Sequence, residues 1–202
     1  MTAANVLPKE LGRMIEWRRT LHANPEVSGN EYQTRAFILD QLKRLEIPAR
    51  TFETHAGILA TIEGKGPGGV IALRADMDAL PITENNDLPH RSQNAGVMHA
   101  CGHDGHMAML LGAATALKEN RNSWRGTVKL VFQPSEEAAP HGGAPLMIAD
   151  GVLENPKVDM MFGMHLWPDL QYGDIGICRG TMMASTDRFK LLLQGAGAHA
   201  GA

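Results

Sequence analysis

Thr127-Val-Lys-Leu-Val-Phe-Gln-Pro-Ser-Glu-Glu137 is an apolar, β-type run that stops at a proline and then delivers two adjacent acids. Proline cannot continue a strand ladder, so Glu136 and Glu137 fall just past the strand's carboxyl end. Two neighbouring carboxylates can divide their labour. One can bind a metal while the other stays off it as a base, which is what metal-assisted hydrolysis requires. Taken alone, the pair fits a solvated helix start equally well, because acids are favoured in a first helical turn.

The other strand ends carry chemistry of the same kind. Val70 to Leu73 reads as a buried strand running into Arg74-Ala-Asp76-Met-Asp78, and Met160 to His165 as one ending in a histidine. His99-Ala-Cys101-Gly-His103-Asp104-Gly-His106 places several metal-binding side chains within eight positions. Cys101 and His103, two apart across a glycine that makes a turn easy, can face one point in space just before a helix expected over His103 to Leu117. Strand and helix alternate, so an α/β fold with an at least partly parallel sheet is expected. Ligands of such sheets sit at the carboxyl ends of the strands, where all of these motifs fall. Each residue has a plainer reading by itself: a buried thiol for Cys101, a helix cap for His103, a satisfied core imidazole for His165. Together they favour one metal site. His99 and His106 would orient ligands or face substrate, whereas His22, His55, His90 and His141 are most simply surface or structural.

Around these motifs, apolar spacing predicts a helix over Pro8 to His22 with Leu11, Met14, Ile15, Arg18 and Leu21 inward. Ser28-Gly-Asn-Glu31 reads as a capping box opening a second helix to about Leu45, with Phe37, Ile38, Leu42 and Leu45 as its stripe. Further strands are expected over Ala49 to Phe52 and Ile58 to Ile62, with a short helix over Ala144 to Ala149. Ile175 to Arg179 and Arg188 to Gln194 also read as strands, Cys178 being a small buried hydrophobe in the first. The character changes after Gly180, and the chain stops in a glycine-rich stretch, Gly195 to Ala202. The expected division is therefore 1–180, the first part of a catalytic domain, and 181–202, the beginning of a second domain in a truncated protein.

At 202 residues and 44% hydrophobic, the chain can bury a core. A net charge of −3 offers no footprint for nucleic acid. No apolar run reaches membrane-spanning length, and Met1-Thr-Ala-Ala-Asn5 has no signal-peptide pattern, so no membrane and a cytoplasmic location are expected. Two cysteines, Cys101 and Cys178, do not suggest a disulfide framework.

Six ordered motifs carry a resemblance that spans nearly the whole chain: Arg18-Arg-Thr-Leu-His22-Ala-Asn-Pro25-Glu26, Arg74-Ala-Asp-Met-Asp-Ala-Leu-Pro81-Ile-Thr-Glu84, Met98-His-Ala-Cys-Gly-His-Asp-Gly-His106, Phe132-Gln-Pro-Ser-Glu-Glu137, Gly163-Met-His-Leu-Trp-Pro168 and Gly195-Ala-Gly-Ala-His199. With these the chain resembles the dinuclear metallopeptidases of the aminoacylase and carboxypeptidase type, in the branch of hippurate hydrolases, N-acyl-amino-acid amidohydrolases and auxin-conjugate hydrolases. The resemblance implies a zinc-exopeptidase-like catalytic domain, a mixed and largely parallel sheet flanked by helices, interrupted by an α+β lid domain that also forms a homodimer. It implies two divalent metal ions, manganese or zinc, with cobalt or nickel also suited. It makes Cys101, His103, Glu137 and His165 metal ligands, Cys101 bridging, and Glu136 the general base. Asp76 and Asp78 would orient ligands, and His199 would reach the substrate or its oxyanion in the neighbouring subunit. Relatives also carry a ligand histidine near the end of their catalytic domain, beyond this chain's length, and often lysine or glycine where Ala196 and Ala198 stand here.

The activity so implied is hydrolysis of the amide bond of small N-acyl amino acids. Two other readings compete with it. Cys101 could be the nucleophile of a cysteine amidase with His103 or His165 as base, or the fold could bind metal or peptide without turnover. Glu136 argues against the last, since a pure binding site has no need of a base beside Glu137.

Overall fold

Alternation along β4 (Thr127–Gln133) sends Val128, Leu130 and Phe132 to one face and Lys129 and Val131 to the other, and all five are buried. A strand buried on both faces belongs in the middle of a sheet. The computed structural model, which describes residues 7–138, 141–183, 185, 187, 189–197 and 201, places β4 there. With β1 (Ala49–Thr51), β2 (Ile58–Glu63), β3 (Val70–Asp76) and β5 (Met160–Gly163) it forms one sheet in the order β1-β2-β4-β3-β5. The sheet is mixed, as expected. The pairs β1/β2 and β2/β4 are antiparallel, whereas β3/β4 and β3/β5 are parallel. The parallel register aligns Asp76 with Gln133 and Arg74 with Gly163, so the carboxyl ends of three strands open side by side.

Helices α1 (Leu7–Ala23), α2 (Tyr32–Arg44) and α3 (His103–Glu119) supply Trp17, Leu21, Ile38, Leu42, Met107 and Leu111 to the core on one face. A smaller cluster on the other face gathers Ala72, Val131, Met147 of α4 (Ala144–Ala149) and Val152. Lys129 points into that second layer, where its buried ammonium donates to the carbonyls of Val152 (3.0 Å) and Glu154 (2.6 Å).

Several details differ from the sequence expectation. In α1, Leu11 and Ile15 are 51% and 41% exposed, because the face meeting the core runs through Met14, Trp17 and Leu21. The capping box at Ser28 does not form. Glu31 stands at the N-cap of α2 without capping it, and the Glu26 carboxylate accepts from the amides of Gln33 (3.2 Å) and Thr34 (2.8 Å) instead. Both Ser28 and Glu31 are drawn inward by partners remote in sequence. β5 ends at Gly163, two residues short of His165. Of the two readings left open for His22 and His55, surface or structural, burial selects the structural one.

The chain divides into two compact units, Met1–Leu166 and Trp167–Ala202, and every helix and strand described above lies in the first. In the second, the described residues carry turns, such as the Leu170 amide to the Trp167 carbonyl, but neither strand expected over Ile175–Arg179 or Arg188–Gln194. Strands need a laterally hydrogen-bonded neighbour, and these segments have none among the described residues. Cys178 is accordingly exposed rather than buried.

Leu130 is fully buried at the centre of the main core. Leu130→Ala is expected to destabilise the fold by about 2–5 kcal/mol, read as a lower denaturant midpoint with an unchanged slope.

Candidate metal centre

Helix α3 begins abruptly at His103 because Gly102 adopts a left-handed conformation (φ 91°) that a side chain would strain. The turn brings Cys101 and His103 to the mouth formed by the ends of β3, β4 and β5. There Cys101, His103 and His165 each offer a donor atom, all within 4.8 Å of one another, and so do His103, Glu136 and Glu137. All four residues implied as ligands, and the base beside them, are thus gathered around His103.

Hydrogen bonds fix which ring nitrogens are available. His103 Nδ1 donates to the Asp78 carbonyl (2.8 Å) and His165 Nδ1 to the Leu166 carbonyl (2.7 Å), so each Nε2 is directed to the centre. His165 Nε2 lies 3.4 Å from Cys101 Sγ. His103 Nε2 is buried without a hydrogen-bond partner, 3.5 Å from Asp76 and 3.9 Å from both Glu136 and Glu137. His106 is committed differently. Its Nε2 accepts the Leu166 amide (2.9 Å), which leaves Nδ1–H to donate to Asp76 Oδ1 (2.6 Å). Asp76, His106 and His103 also form a compact trio, but both nitrogens of His106 are already occupied, so this histidine anchors the segment carrying His165.

Asp78 works on the backbone. Its carboxylate accepts the amides of Glu136 (3.0 Å) and Glu137 (2.9 Å) and the Ser28 hydroxyl (2.6 Å). Arg74 donates to Asp76 (2.7 Å) and to Gln133 (3.0 Å) at the rim.

The crowding of acids sets the electrostatics. Burial opposes ionisation of Asp76, but the His106 hydrogen bond and the charges of His103 and Arg74 outweigh it and hold the carboxyl at about 2. Glu136 is shifted upward by desolvation and then by the charge of Glu137. The Cys101 thiol is pushed up to about 12 by burial and by Glu137 beside it. For His103, burial is outweighed by the carboxylates of Asp78 and Asp76, so its affinity for a proton rises. A site that favours a positive charge at His103 in this way attracts cations.

Behind the centre lies a polar brace that sequence reading missed. Asp104, in the first turn of α3, accepts from His22 Nδ1 (2.9 Å) and Arg18 (3.1 Å), and His22 Nε2 reaches Glu84 (3.1 Å). Glu84 also accepts the Ser92 amide (2.6 Å), tying a surface loop to α1. His99 is buried with neither ring nitrogen bonded, and burial lowers it to about 4, so it stays neutral. His141 is exposed, and His199 lies outside the described residues.

Residues 72–192 match the description Peptidase family M20/M25/M40. The chain is 48% identical over 188 residues to the N-acetyl-L-cysteine deacetylase of Bacillus subtilis (strain 168), covering 93% of this chain and 44% of that protein. It is 46% identical over 186 residues to the N-acyl-L-amino acid amidohydrolase of Geobacillus stearothermophilus, covering 92% and 50% respectively. Among solved structures it is similar to the Bacillus subtilis YXEP protein, a dinuclear metal binding peptidase, with a TM-score of 0.73 and 44% identity over 79% of this chain and 44% of that one. The chain spans about half the length of the curated relatives it matches.

The brace makes stability depend on pH. The hydrogen bond to Asp104 raises His22 above its ordinary value near 6.5, against the effect of burial, while Asp104 and Glu84 are lowered despite theirs. A raised imidazole stabilises the fold fully below about 6.5 and loses that contribution as pH rises through its folded value. The lowered acids contribute above about 4 and lose their share as pH falls. The gap in melting temperature between the protein and a His22→Gln variant should therefore be widest between those limits and narrow towards alkaline pH.

Proposed function

The chain belongs to peptidase family M20/M25/M40, and from that premise we propose that it hydrolyses the amide bond of N-acyl amino acids with the help of two divalent cations. The observation that carries this reading is the buried, unpartnered Nε2 of His103, faced by three carboxylates within 4 Å. A buried polar atom of this kind needs a partner, and the assembled donors suit a divalent metal. Cys101, His103, Glu137 and His165 would hold the pair. One thiolate, two imidazoles and a carboxylate fit zinc or manganese, with cobalt or nickel also compatible. When bound, the cations supply polarisation of the amide carbonyl and a water acidified towards neutrality.

The protein's own groups do the rest. Glu136, whose affinity for protons is raised by desolvation and by Glu137, takes the proton of the attacking water and passes it to the departing amine nitrogen. A C–O bond forms, the C–N bond breaks, and a carboxylic acid and a free amino acid leave. Asp78 keeps Glu136 and Glu137 in step by their amides. His103 and His165 present Nε2 because their Nδ1 atoms are held by backbone carbonyls. His199 completes the reading as the group that reaches the substrate from a second subunit, in a homodimer formed through the region that begins near residue 181. Residues 1–180 then supply the first part of the catalytic domain.

The deacetylase and amidohydrolase names of the relatives support a small acylated amino acid as substrate. No helix among the described residues is long and apolar enough to cross a membrane, and a thiolate ligand such as Cys101 is best preserved in a reducing cytoplasm. A nucleophilic role for Cys101 is disfavoured: reactive thiols are tuned below their ordinary value, whereas this one is raised to about 12.

In the natural full-length polypeptide, elemental analysis should find about two divalent ions per chain. Hydrolysis of N-acetyl amino acids should vanish on chelation and return with manganese or zinc. Glu136→Gln should keep the metal while kcat drops about 10²–10⁴-fold. Undiminished turnover in that variant would remove Glu136 from its role.

A further inference from the structure

We propose that Glu31 is a positioning residue for Glu136, tethering the turn that carries the base to the start of α2; the proposal rests on the amidohydrolase reading above. Three consecutive amides, those of Ser135, Glu136 and Glu137, point at two carboxylates. The Ser135 amide donates to Glu31 Oε1 at 2.6 Å, and the next two donate to Asp78 at 3.0 and 2.9 Å. The Ser135 hydroxyl adds a second bond to Glu31 Oε1 at 3.2 Å.

Ser135 needs such a hold. Its φ is 55°, the left-handed region that a residue other than glycine keeps only when its surroundings enforce it. Reversing the chain at this point turns Glu136 and Glu137 back over the end of β4 towards His103. The Gly143 amide donates to the Ser135 carbonyl at 3.0 Å and closes the turn from its other side. Glu31 supplies the remaining restraint from a segment more than a hundred residues earlier.

Glu31 does not serve as the cap of its own helix, although backbone groups of its own residue and of Gly29 also face its carboxyl. It is fully buried, it leaves its own helix uncapped, and Glu26 performs that task in its place. Its second oxygen has no hydrogen-bond partner. Burial raises its affinity for a proton, and the neighbouring Asp78 charge adds to this. A neutral amide of the same shape should thus replace it, since Oε1 alone makes both bonds to Ser135.

The test uses the natural full-length, metal-loaded enzyme with Glu31→Ala, Glu31→Gln and Glu31→Asp. Three quantities are read: kcat and KM for N-acetyl amino acids, metal content, and amide hydrogen exchange of the peptide covering residues 133–138. Glu31→Ala is expected to lower kcat about 10–100-fold, to leave KM and metal content unchanged, and to speed exchange at Ser135. Glu31→Gln should restore both kcat and protection. If the alanine variant does not fold, Glu31→Asp, one methylene too short to reach the Ser135 amide, carries the same expectation.

Unchanged kcat and exchange in the alanine or aspartate variant overturns the proposal, as does metal loss in step with activity or a Gln variant as impaired as Ala. Should the parent enzyme, loaded with metal, hydrolyse no acyl amino acid, it is the amidohydrolase reading that fails. The exchange comparison then still decides whether Glu31 holds the turn.

Discussion

Asp78 is the residue on which the arrangement of the centre depends. Its carboxylate accepts the Ser28 hydroxyl and the amides of Glu136 and Glu137, and its own carbonyl accepts His103 Nδ1. One side chain and one peptide oxygen therefore join the loop before α2, the end of β3, the start of α3 and the turn after β4. A buried carboxylate without partners would be strongly destabilising. With this many donors Asp78 remains ionised, its proton affinity lowered in spite of burial.

The sheet makes that junction possible. Parallel pairing of β3 with β4 and β5 brings Asp76, Gln133 and Gly163 to one edge, and the helices covering one face leave the strand ends open. Helix α3 is fixed from two sides. Met107, Leu111 and Ala114 bury its apolar face against the sheet, and Asp104 secures its first turn through His22 and Arg18. A helix held at its core and at its N-terminus cannot easily rotate His103 away from the acids.

These restraints converge on a centre with more negative charge than its own cations offset. Glu136 and Cys101 both have raised proton affinities because burial strips them of water and, next, because Glu137 lies beside them. Cations bound there would relieve the repulsion, so metal binding and the ordering of these side chains reinforce one another. His106 extends the same logic to the last donor, holding the Leu166 amide so that His165 faces Cys101.

Much of this could be read from the chain before its fold was known. Period-two and helical spacings located β2, β3, β4, α3 and α4, and the residues at the strand ends marked the centre, because such patterns are local and survive in any compact arrangement. Local pattern misled at Ser28 and Glu31, whose spacing fits a capping box while their partners lie 50 and 104 residues away. It misled again at Ile175–Arg179 and in the described part of Arg188–Gln194, where strand-like composition has no neighbouring strand to pair with among the described residues. The sequence by itself determined which side chains could bind a metal and which elements would carry them. Only the tertiary structure decided that Asp78 and Glu31 grip three successive amides, that His106 is an anchor, and that His103 keeps Nε2 free. Hydrogen bonds between distant segments assign a polar group its partner, and no periodicity along the chain encodes that choice.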